Sequence, residues 1–143
     1  MNYWGRCIRA KAQPVHHILI IDDSEFDRRM IRLALENTAS ELKFTELNDG
    51  SNVLEQMAKI SPSITFLDIR MPGKSGFDIL SEIKSDHLLN KHTVVLVSGS
   101  DAECDRSKAS DLGAAGYFKK PHTKKEYRNI ALNVEKRFLR KAA

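Results

Sequence analysis

The chain has 143 residues, which suits one globular domain, and its 41% hydrophobic content is enough for a buried core. No stretch reaches the roughly 20 consecutive apolar residues that span a bilayer, so we expect no membrane insertion. Residues 1–14 lack the continuous apolar segment of a secretory signal. We therefore expect a cytoplasmic protein, with an N-terminal extension at 1–14 that need not be ordered and one domain at 15–143.

The net charge of +4 is unevenly distributed. Nine basic residues lie between positions 119 and 141, opposed there by only Glu126 and Glu135. Such a segment can attract an acidic protein, a membrane surface or nucleic acid, or can simply be a solvated helix face. The basic residues are Lys119, Lys120, Lys124, Lys125, Arg128, Lys136, Arg137, Arg140 and Lys141.

The first strand and helix are predicted at the start of the domain. Residues 17–21 form a short apolar run typical of a buried strand, which ends at Asp22 and Asp23. Ser24 follows, with Asp27 three positions later. This spacing predicts a capping box at the start of the first helix.

The next two strands and the second helix follow in order. Residues 43–47 predict the second strand, and the helix after it stops before Pro62. Residues 64–67 predict the third strand, which also ends on an acid, Asp68. A loop rich in proline and glycine then separates this strand from the third helix.

The second half of the chain continues the alternation. Residues 93–97 are all β-branched or apolar, which predicts a strand ending at Ser98. Residues 101–111 predict a helix with few large apolar residues, so we expect it to be the most loosely held. Gly113 is expected to end that helix in the left-handed conformation.

The last strand and helix complete the pattern. Residues 116–118 predict a short fifth strand, and Thr123 with Glu126 predicts a second capping box. The final helix is expected to run to near the C-terminus. Its predicted buried stripe comprises Tyr127, Ile130, Ala131, Val134 and Phe138.

Five alternating strands and helices indicate an α/β fold with a doubly wound parallel sheet covered on both faces. Ligands of such sheets bind at the carboxyl ends of the strands, near the point where the strand order reverses. The side chains that the sequence brings to this edge are Asp22, Asp23, Asp68, Ser98 and Lys120.

These residue types indicate phosphoryl-transfer chemistry. Three adjacent carboxylates repel one another unless a cation or protons intervene. An all-oxygen site with few carboxylates suits Mg²⁺, which retains several waters and binds substrate phosphate. A lysine and a hydroxyl beside them would neutralise and hydrogen-bond a phosphoryl group, with a carboxylate as the nucleophile.

Four motifs, in order and each at a strand end, resemble the receiver domains of two-component response regulators. The resemblance runs from about residue 17 to about residue 140 and implies the flavodoxin-like, CheY-like (βα)5 fold, a three-layer sandwich. The motifs are residues 20–24 (IIDDS), 67–76 (LDIRMPGKSG), 97–99 (VSG) and 113–121 (GAAGYFKKP).

The resemblance also implies a role for each acidic residue. Asp68 occupies the position of the phosphoacceptor. Asp22 and Asp23 match the acidic pair that holds Mg²⁺ or Mn²⁺, together with a carboxylate oxygen of Asp68 and the main-chain carbonyl of Arg70.

Further positions match the switch machinery of the family. Ser98 matches the hydroxyl residue that moves to bond the phosphoryl group, and Lys120 matches the lysine that pairs with the phosphoryl oxygens. Tyr117 matches the aromatic residue that turns inward when the hydroxyl moves. The peptide bond between Lys120 and Pro121 matches one that is usually cis in the family.

Two variable positions are expected to tune the lifetime of the phosphorylated state. Arg70 lies two residues after the phosphoacceptor, and Ser100 lies two after the switch hydroxyl. In the family these positions flank the phosphoryl group. We hypothesise that Arg70 slows hydrolysis by charge pairing and by crowding the attacking water.

The expected function is a phosphorylation-dependent switch rather than an enzyme acting on a separate substrate. A histidine kinase or histidine phosphotransfer protein would donate the phosphoryl group to Asp68. The response would reach an unidentified downstream protein through the surface of the fourth helix, fifth strand and fifth helix, because no output domain follows.

Several alternatives stay open at this point. The domain could be an intermediate phosphoryl carrier, or a binding module using its basic last helix, although no nucleic-acid-reading motif is present. Phosphorylation could also produce a homodimer. A haloacid-dehalogenase-type phosphatase is disfavoured because neither acidic strand end has the Asp-x-Asp pattern, and a flavodoxin-like electron carrier because acids occupy the place of the phosphate loop.

Overall fold

The computed structural model describes residues 15–38 and 41–139, so the predicted extension at 1–14 lies outside the described residues. Five parallel strands form one sheet, with helices in the connections. The strands are β1 (His16–Ile21), β2 (Leu42–Leu47), β3 (Ile64–Asp68), β4 (Val94–Ser98) and β5 (Gly116–Lys119). The helices are α1 (Glu25–Glu36), α2 (Val53–Ile60), α3 (Gly76–Ser85), α4 (Glu103–Asp111) and α5 (Lys124–Val134), followed by a π-helix (Glu135–Leu139).

The strand order β2-β1-β3-β4-β5 confirms the predicted doubly wound (βα)5 fold. The chain moves outward from β1 to β2 and then crosses back to β3, so the order reverses between β1 and β3. Ile21 pairs with Leu67, which places the residues that follow them side by side. The acidic strand ends therefore lie at the switch point where this architecture binds ligands.

The sheet separates two hydrophobic cores. Along β1, Leu19 and Ile21 pack into the core that includes α2, α3 and Ala109 of α4, because alternate residues of a strand face opposite sides. Ile18 and Ile20 pack into the core formed with α1 and α5. Burial on both faces explains why the central strands are continuous apolar runs.

A hydroxyl side chain caps the N-terminus of three of the helices. Ser24 Oγ accepts a hydrogen bond from the Asp27 amide at the start of α1, and Thr123 Oγ1 accepts one from the Glu126 amide at the start of α5. A reciprocal capping box forms at α3, between Ser75 and Asp78. The predicted helix starts are confirmed, but neither predicted capping box closes. The Asp27 carboxylate bonds Lys120, and Glu126 Oε1 accepts from the His122 amide.

Helix α4 has the packing that its composition predicts. Ala109 is its only buried residue. The helix ends in a Schellman motif: Gly113 N donates to Ser110 O at 3.0 Å and Ala114 N donates to Ala109 O at 3.0 Å. Gly113 has a φ of +90°, as the predicted left-handed helix end requires.

The end of the last helix differs from the predicted stripe. After Val134 the chain adopts a π-helix, in which a turn takes up more residues than in an α-helix. Leu139, rather than Phe138, is therefore the buried apolar residue after Val134. Phe138 is only partly buried, and the Arg137 guanidinium lies over its ring, 4.8 Å from the centroid.

The expected cis bond before Pro121 is wrong, because no cis peptide bond occurs among the described residues. Trans is the intrinsic preference of such bonds by about 0.5–1 kcal/mol. The Lys120 amide donates to the Ser98 carbonyl at 2.7 Å, which extends the pairing of β4 and β5 to the residue before the proline.

In the described part of the chain, none of the helices is long and apolar enough to span a bilayer.

Candidate functional site

Three aspartates meet at the carboxyl edge of the sheet. One carboxylate oxygen from each of Asp22, Asp23 and Asp68 lies within 4.8 Å of the others. Asp22 and Asp68 are 2% and 3% exposed, whereas Asp23 faces solvent. The cluster is thus open to ligands on one side and buried on the other.

The loop from β1 to α1 is fixed by hydrogen bonds around Asp22. Its Oδ1 accepts from the Ser24 amide at 2.9 Å, and its main-chain carbonyl accepts from Arg28 Nη1 at 2.6 Å. Arg28 Nε in turn pairs with Glu46 of β2 at 3.0 Å. These contacts hold the Asp22 side chain toward the neighbouring strand β3.

The loop from β3 to α3 returns closely over Asp68. The Gly76 amide donates to the Ile69 carbonyl at 2.8 Å. A Cβ atom at Gly76 would collide with the main-chain carbonyl of Asp68. Only glycine allows the helix to begin this near to the main chain of Asp68.

The ammonium group of Lys120 lies among carboxylates. Its Nζ is 2.8 Å from Asp27 Oδ2, 3.0 Å from Asp22 Oδ2 and 3.4 Å from Asp68 Oδ1. The lysine side chain is 21% exposed. Lys120 therefore neutralises part of the negative charge that the sheet edge collects.

Burial raises the pKa values of the two innermost carboxyls. Burial, and next the charge of Asp22, raises the pKa of Asp68 to about 7. Burial also raises the pKa of Asp22, against the opposing hydrogen bonds from Ser24 and Lys120. Burial alone would lower the pKa of Lys120, but its hydrogen bonds and charge pairing with Asp27 and Asp22 raise it. The positive charge of Lys120 is too small to offset the effect of burial on the ionisation of these two carboxyls.

The donor set fits a hard divalent cation. Three carboxylates converge on one another, two of them are difficult to ionise without added positive charge, and oxygen ligands favour Mg²⁺ or Mn²⁺. Asp22, Asp23 and Asp68 are the side chains that would hold the ion. The predicted contribution of the Arg70 carbonyl stays a prediction.

Ser98 and Tyr117 are linked through the main chain of Ser100. The buried Ser98 hydroxyl accepts from the Ser100 amide at 3.1 Å, and the Tyr117 hydroxyl donates to the Ser100 carbonyl at 2.6 Å. The Arg106 guanidinium lies 4.7 Å from the Tyr117 ring centroid and pairs with Asp101 at 2.6 Å. A displacement of Ser98 toward the site would break its bond to Ser100.

Arg70 is exposed. It lines a groove of about 500 Å³ between the β3–α3 loop and α4, with residues that include Met71, Phe77 and Asp105. Its proposed effect on hydrolysis, and that of Ser100, stay predictions.

Sequence reasoning missed two residues of the site. Asp27 was assigned only to a helix cap, although its carboxylate makes the shortest contact with Lys120. Tyr127 of α5 was assigned to the core, although its hydroxyl donates to Asp27 Oδ1 at 3.4 Å. No local pattern indicates either contact, because the partners are 93 and 100 positions apart.

Most of the basic residues near the C-terminus face solvent. Within the described residues, Lys124, Lys125 and Arg128 of α5 and Lys136 and Arg137 of the π-helix are exposed. Their exposure fits both a solvated helix face and a surface for an acidic partner.

The chain matches a known family over most of its length. The model of the response regulator receiver domain matches residues 18–131. Protein PilG of Pseudomonas aeruginosa is 30% identical over 109 residues, which cover 76% of this chain and 79% of PilG. Response regulator PleD of Caulobacter vibrioides is 33% identical over 104 residues, 73% of this chain. The chain spans only 22% of the length of PleD.

Solved structures share the fold. The phosphorylated cyanobacterial phytochrome response regulator RcpA aligns with a TM-score of 0.78 and 28% identity, covering 91% of this chain and 98% of RcpA. The Mn²⁺-bound form of response regulator Rcp1 aligns with a TM-score of 0.78 and 24% identity, covering 90% of this chain and 97% of Rcp1.

Proposed function

The chain belongs to the family of response regulator receiver domains, and on this basis we propose that it is a phosphorylation-dependent switch with Asp68 as phosphoacceptor. The observation that carries the proposal is the convergence of Asp22, Asp23 and Asp68 beside the Lys120 ammonium. The likeness to RcpA, which is phosphorylated, supports it.

The reaction is a phosphoryl transfer to a carboxylate. An Asp68 oxygen forms a bond to phosphorus while the bond from phosphorus to the donor breaks, and the leaving group keeps the electron pair. A Mg²⁺ or Mn²⁺ ion held by the three aspartates would neutralise them and the phosphoryl oxygens. Lys120 stabilises the charge that develops on those oxygens, because its ammonium already lies 3.4 Å from Asp68 Oδ1.

The group that is phosphorylated is the chain's own Asp68, not a separate substrate. A histidine kinase or histidine phosphotransfer protein supplies the phosphoryl group, and water later removes it. The phosphorylated state draws Ser98 toward the site, which frees the Ser100 amide and with it the segment that Tyr117 contacts. The surface of α4, β5 and α5 then presents a different shape to a downstream protein. Both proteins would act in the cytoplasm.

The test is the intact-protein mass after incubation with acetyl phosphate, with and without Mg²⁺. We expect one added phosphoryl group in the wild type, only with Mg²⁺, and none in Asp68→Ala. Asp111→Ala is the matched control, since Asp111 is an exposed residue at the end of α4. A modification that persists in Asp68→Ala would contradict the assignment of the phosphoacceptor.

A further inference from the structure

Asp27 is the acidic residue nearest to the Lys120 ammonium. The distance of 2.8 Å from Nζ to Asp27 Oδ2 is shorter than the distances to Asp22 and Asp68, 3.0 Å and 3.4 Å. Asp27 lies in the first turn of α1, outside the group of three aspartates that converge at the strand ends. Its carboxylate therefore has a role that the ion-binding cluster does not explain.

The Asp27 carboxylate is held in place from two directions. Its main chain is fixed at the start of α1, where the amide donates to Ser24 Oγ at 3.2 Å. Its Oδ1 accepts from the Tyr127 hydroxyl at 3.4 Å. Tyr127 belongs to α5, is 4% exposed and lies in the core between the sheet and the pair α1 and α5. Lys120 meets the other oxygen, Oδ2. The contact thus joins three parts of the fold and is not a chance approach of two mobile surface chains.

The Lys120 ammonium donates a hydrogen bond to Asp27 and forms ion pairs with Asp22 and Asp68. An ammonium group has three N–H donors, and three carboxylates surround it here. In the phosphorylated state an Asp68 oxygen is bonded to phosphorus, so one donor becomes available to the phosphoryl group. A second donor becomes available only if Lys120 leaves Asp27 or Asp22.

We propose that Asp27 is a positioning residue that holds the Lys120 ammonium in the resting site and competes with the phosphoryl group for it. The proposal rests on the function proposed above. The negative charge of Asp27 also opposes the accumulation of charge on the phosphoryl oxygens. Asp27 therefore stabilises the unphosphorylated state relative to the phosphorylated one.

Loss of the Asp27 charge should change the affinity for Mg²⁺ and the affinity for a phosphoryl analogue in opposite directions. Removing its charge weakens the attraction of the site for Mg²⁺ alone, because one negative charge is lost and Lys120 is released toward Asp22 and Asp68. The same change strengthens binding of a phosphoryl analogue at saturating Mg²⁺, because Lys120 becomes free to pair with it. General damage to the site would weaken both.

The test measures Mg²⁺ alone, and then beryllofluoride at saturating Mg²⁺, by calorimetric titration of the full chain. We expect Asp27→Asn to raise the dissociation constant for Mg²⁺ and to lower that for beryllofluoride, each by about threefold or more. Asp27→Ala should shift both constants in the same directions, because it removes the remaining hydrogen-bond acceptor as well.

Glu25→Gln is the matched control. Glu25 is also an acidic residue in the first turn of α1, but it is exposed and forms no ion pair with a described residue. Its substitution should leave both constants within twofold of the wild type. Thermal unfolding of each variant verifies that the fold is retained.

The outcomes separate this inference from the proposed function. If the wild type binds no beryllofluoride with Mg²⁺, the proposed function fails and the role of Asp27 fails with it. If the wild type binds it, and Asp27→Asn binds it equally or more weakly, the role of Asp27 alone is overturned.

Discussion

Thr65 presents a buried hydroxyl in the middle of the sheet. The residue is 0% exposed, and its Oγ1 has no hydrogen-bond partner among the described residues. It pairs in register with Leu19 of β1 and Val94 of β4, so its surroundings are apolar. A polar group that is removed from water without a partner destabilises the folded state.

Thr65→Val should therefore raise the free energy of unfolding by about 1 kcal/mol, since valine has a similar shape and no hydroxyl. Urea denaturation of the wild type and the variant measures the difference. Thr45→Val is the matched control in β2, because Thr45 Oγ1 lies 2.7 Å from His17 Nε2 and its loss should destabilise the protein. Equal effects of the two substitutions would contradict the assignment of an unpaired hydroxyl.

At the scale of the elements, α4 has the fewest buried residues of the described α-helices. Ala109 is its only buried residue, whereas α3 buries Phe77, Ile79, Leu80 and Ile83 in addition to its first glycine. The hydrogen bonds at the ends of α4 therefore contribute a large share of its stability. The Gly113 cap, with φ of +90°, satisfies the last carbonyls that the helix leaves open.

Gly113→Ala should lower the free energy of unfolding by about 1–2 kcal/mol, because a Cβ atom is unfavourable at positive φ. The measurement is again urea denaturation, with amide exchange in α4 as a second readout. Gly99→Ala is the control: Gly99 lacks a positive φ, and a Cβ atom there would meet nothing within 4 Å. A similar loss of stability at Gly99 would show that conformation is not the cause.

At the scale of the whole molecule, the fold collects negative charge at one edge of the sheet. Buried Asp22 and Asp68 have raised pKa values, for Asp68 about 7. A carboxyl with a raised pKa binds its proton more tightly in the folded state. Its contribution to stability is complete below the unfolded pKa near 4 and is lost as the pH rises through about 7.

In metal-free buffer, the stability of the wild type relative to Asp68→Asn should therefore fall as the pH rises from about 4 to about 8, by roughly 3 kcal/mol in total. Added Mg²⁺ should restore much of the stability of the wild type at high pH and little of that of the variant. Urea denaturation at a series of pH values gives the comparison, with Asp111→Asn as a control. A difference that does not depend on pH would contradict the raised pKa of Asp68.

The amino-acid sequence by itself determined the alternation of strands and helices, the acidic strand ends and the family. These features depend on local composition and on the rule that parallel strands end at one edge, which together brought Asp22, Asp23 and Asp68 to the same place. The glycine that ends α4 was predicted for the same reason, since the requirement at Gly113 is local.

Only the tertiary structure decided the contacts that cross between elements. Asp27 looks like a helix cap because its neighbours in sequence form one, yet its carboxylate meets Lys120, 93 positions away, once α1 and β5 are packed on the same sheet. The π-helix, which buries Leu139 and leaves Phe138 only partly buried, was likewise not indicated by the local pattern. Periodicity specifies which face of an element is buried, but not which side chain of a distant element lies opposite it.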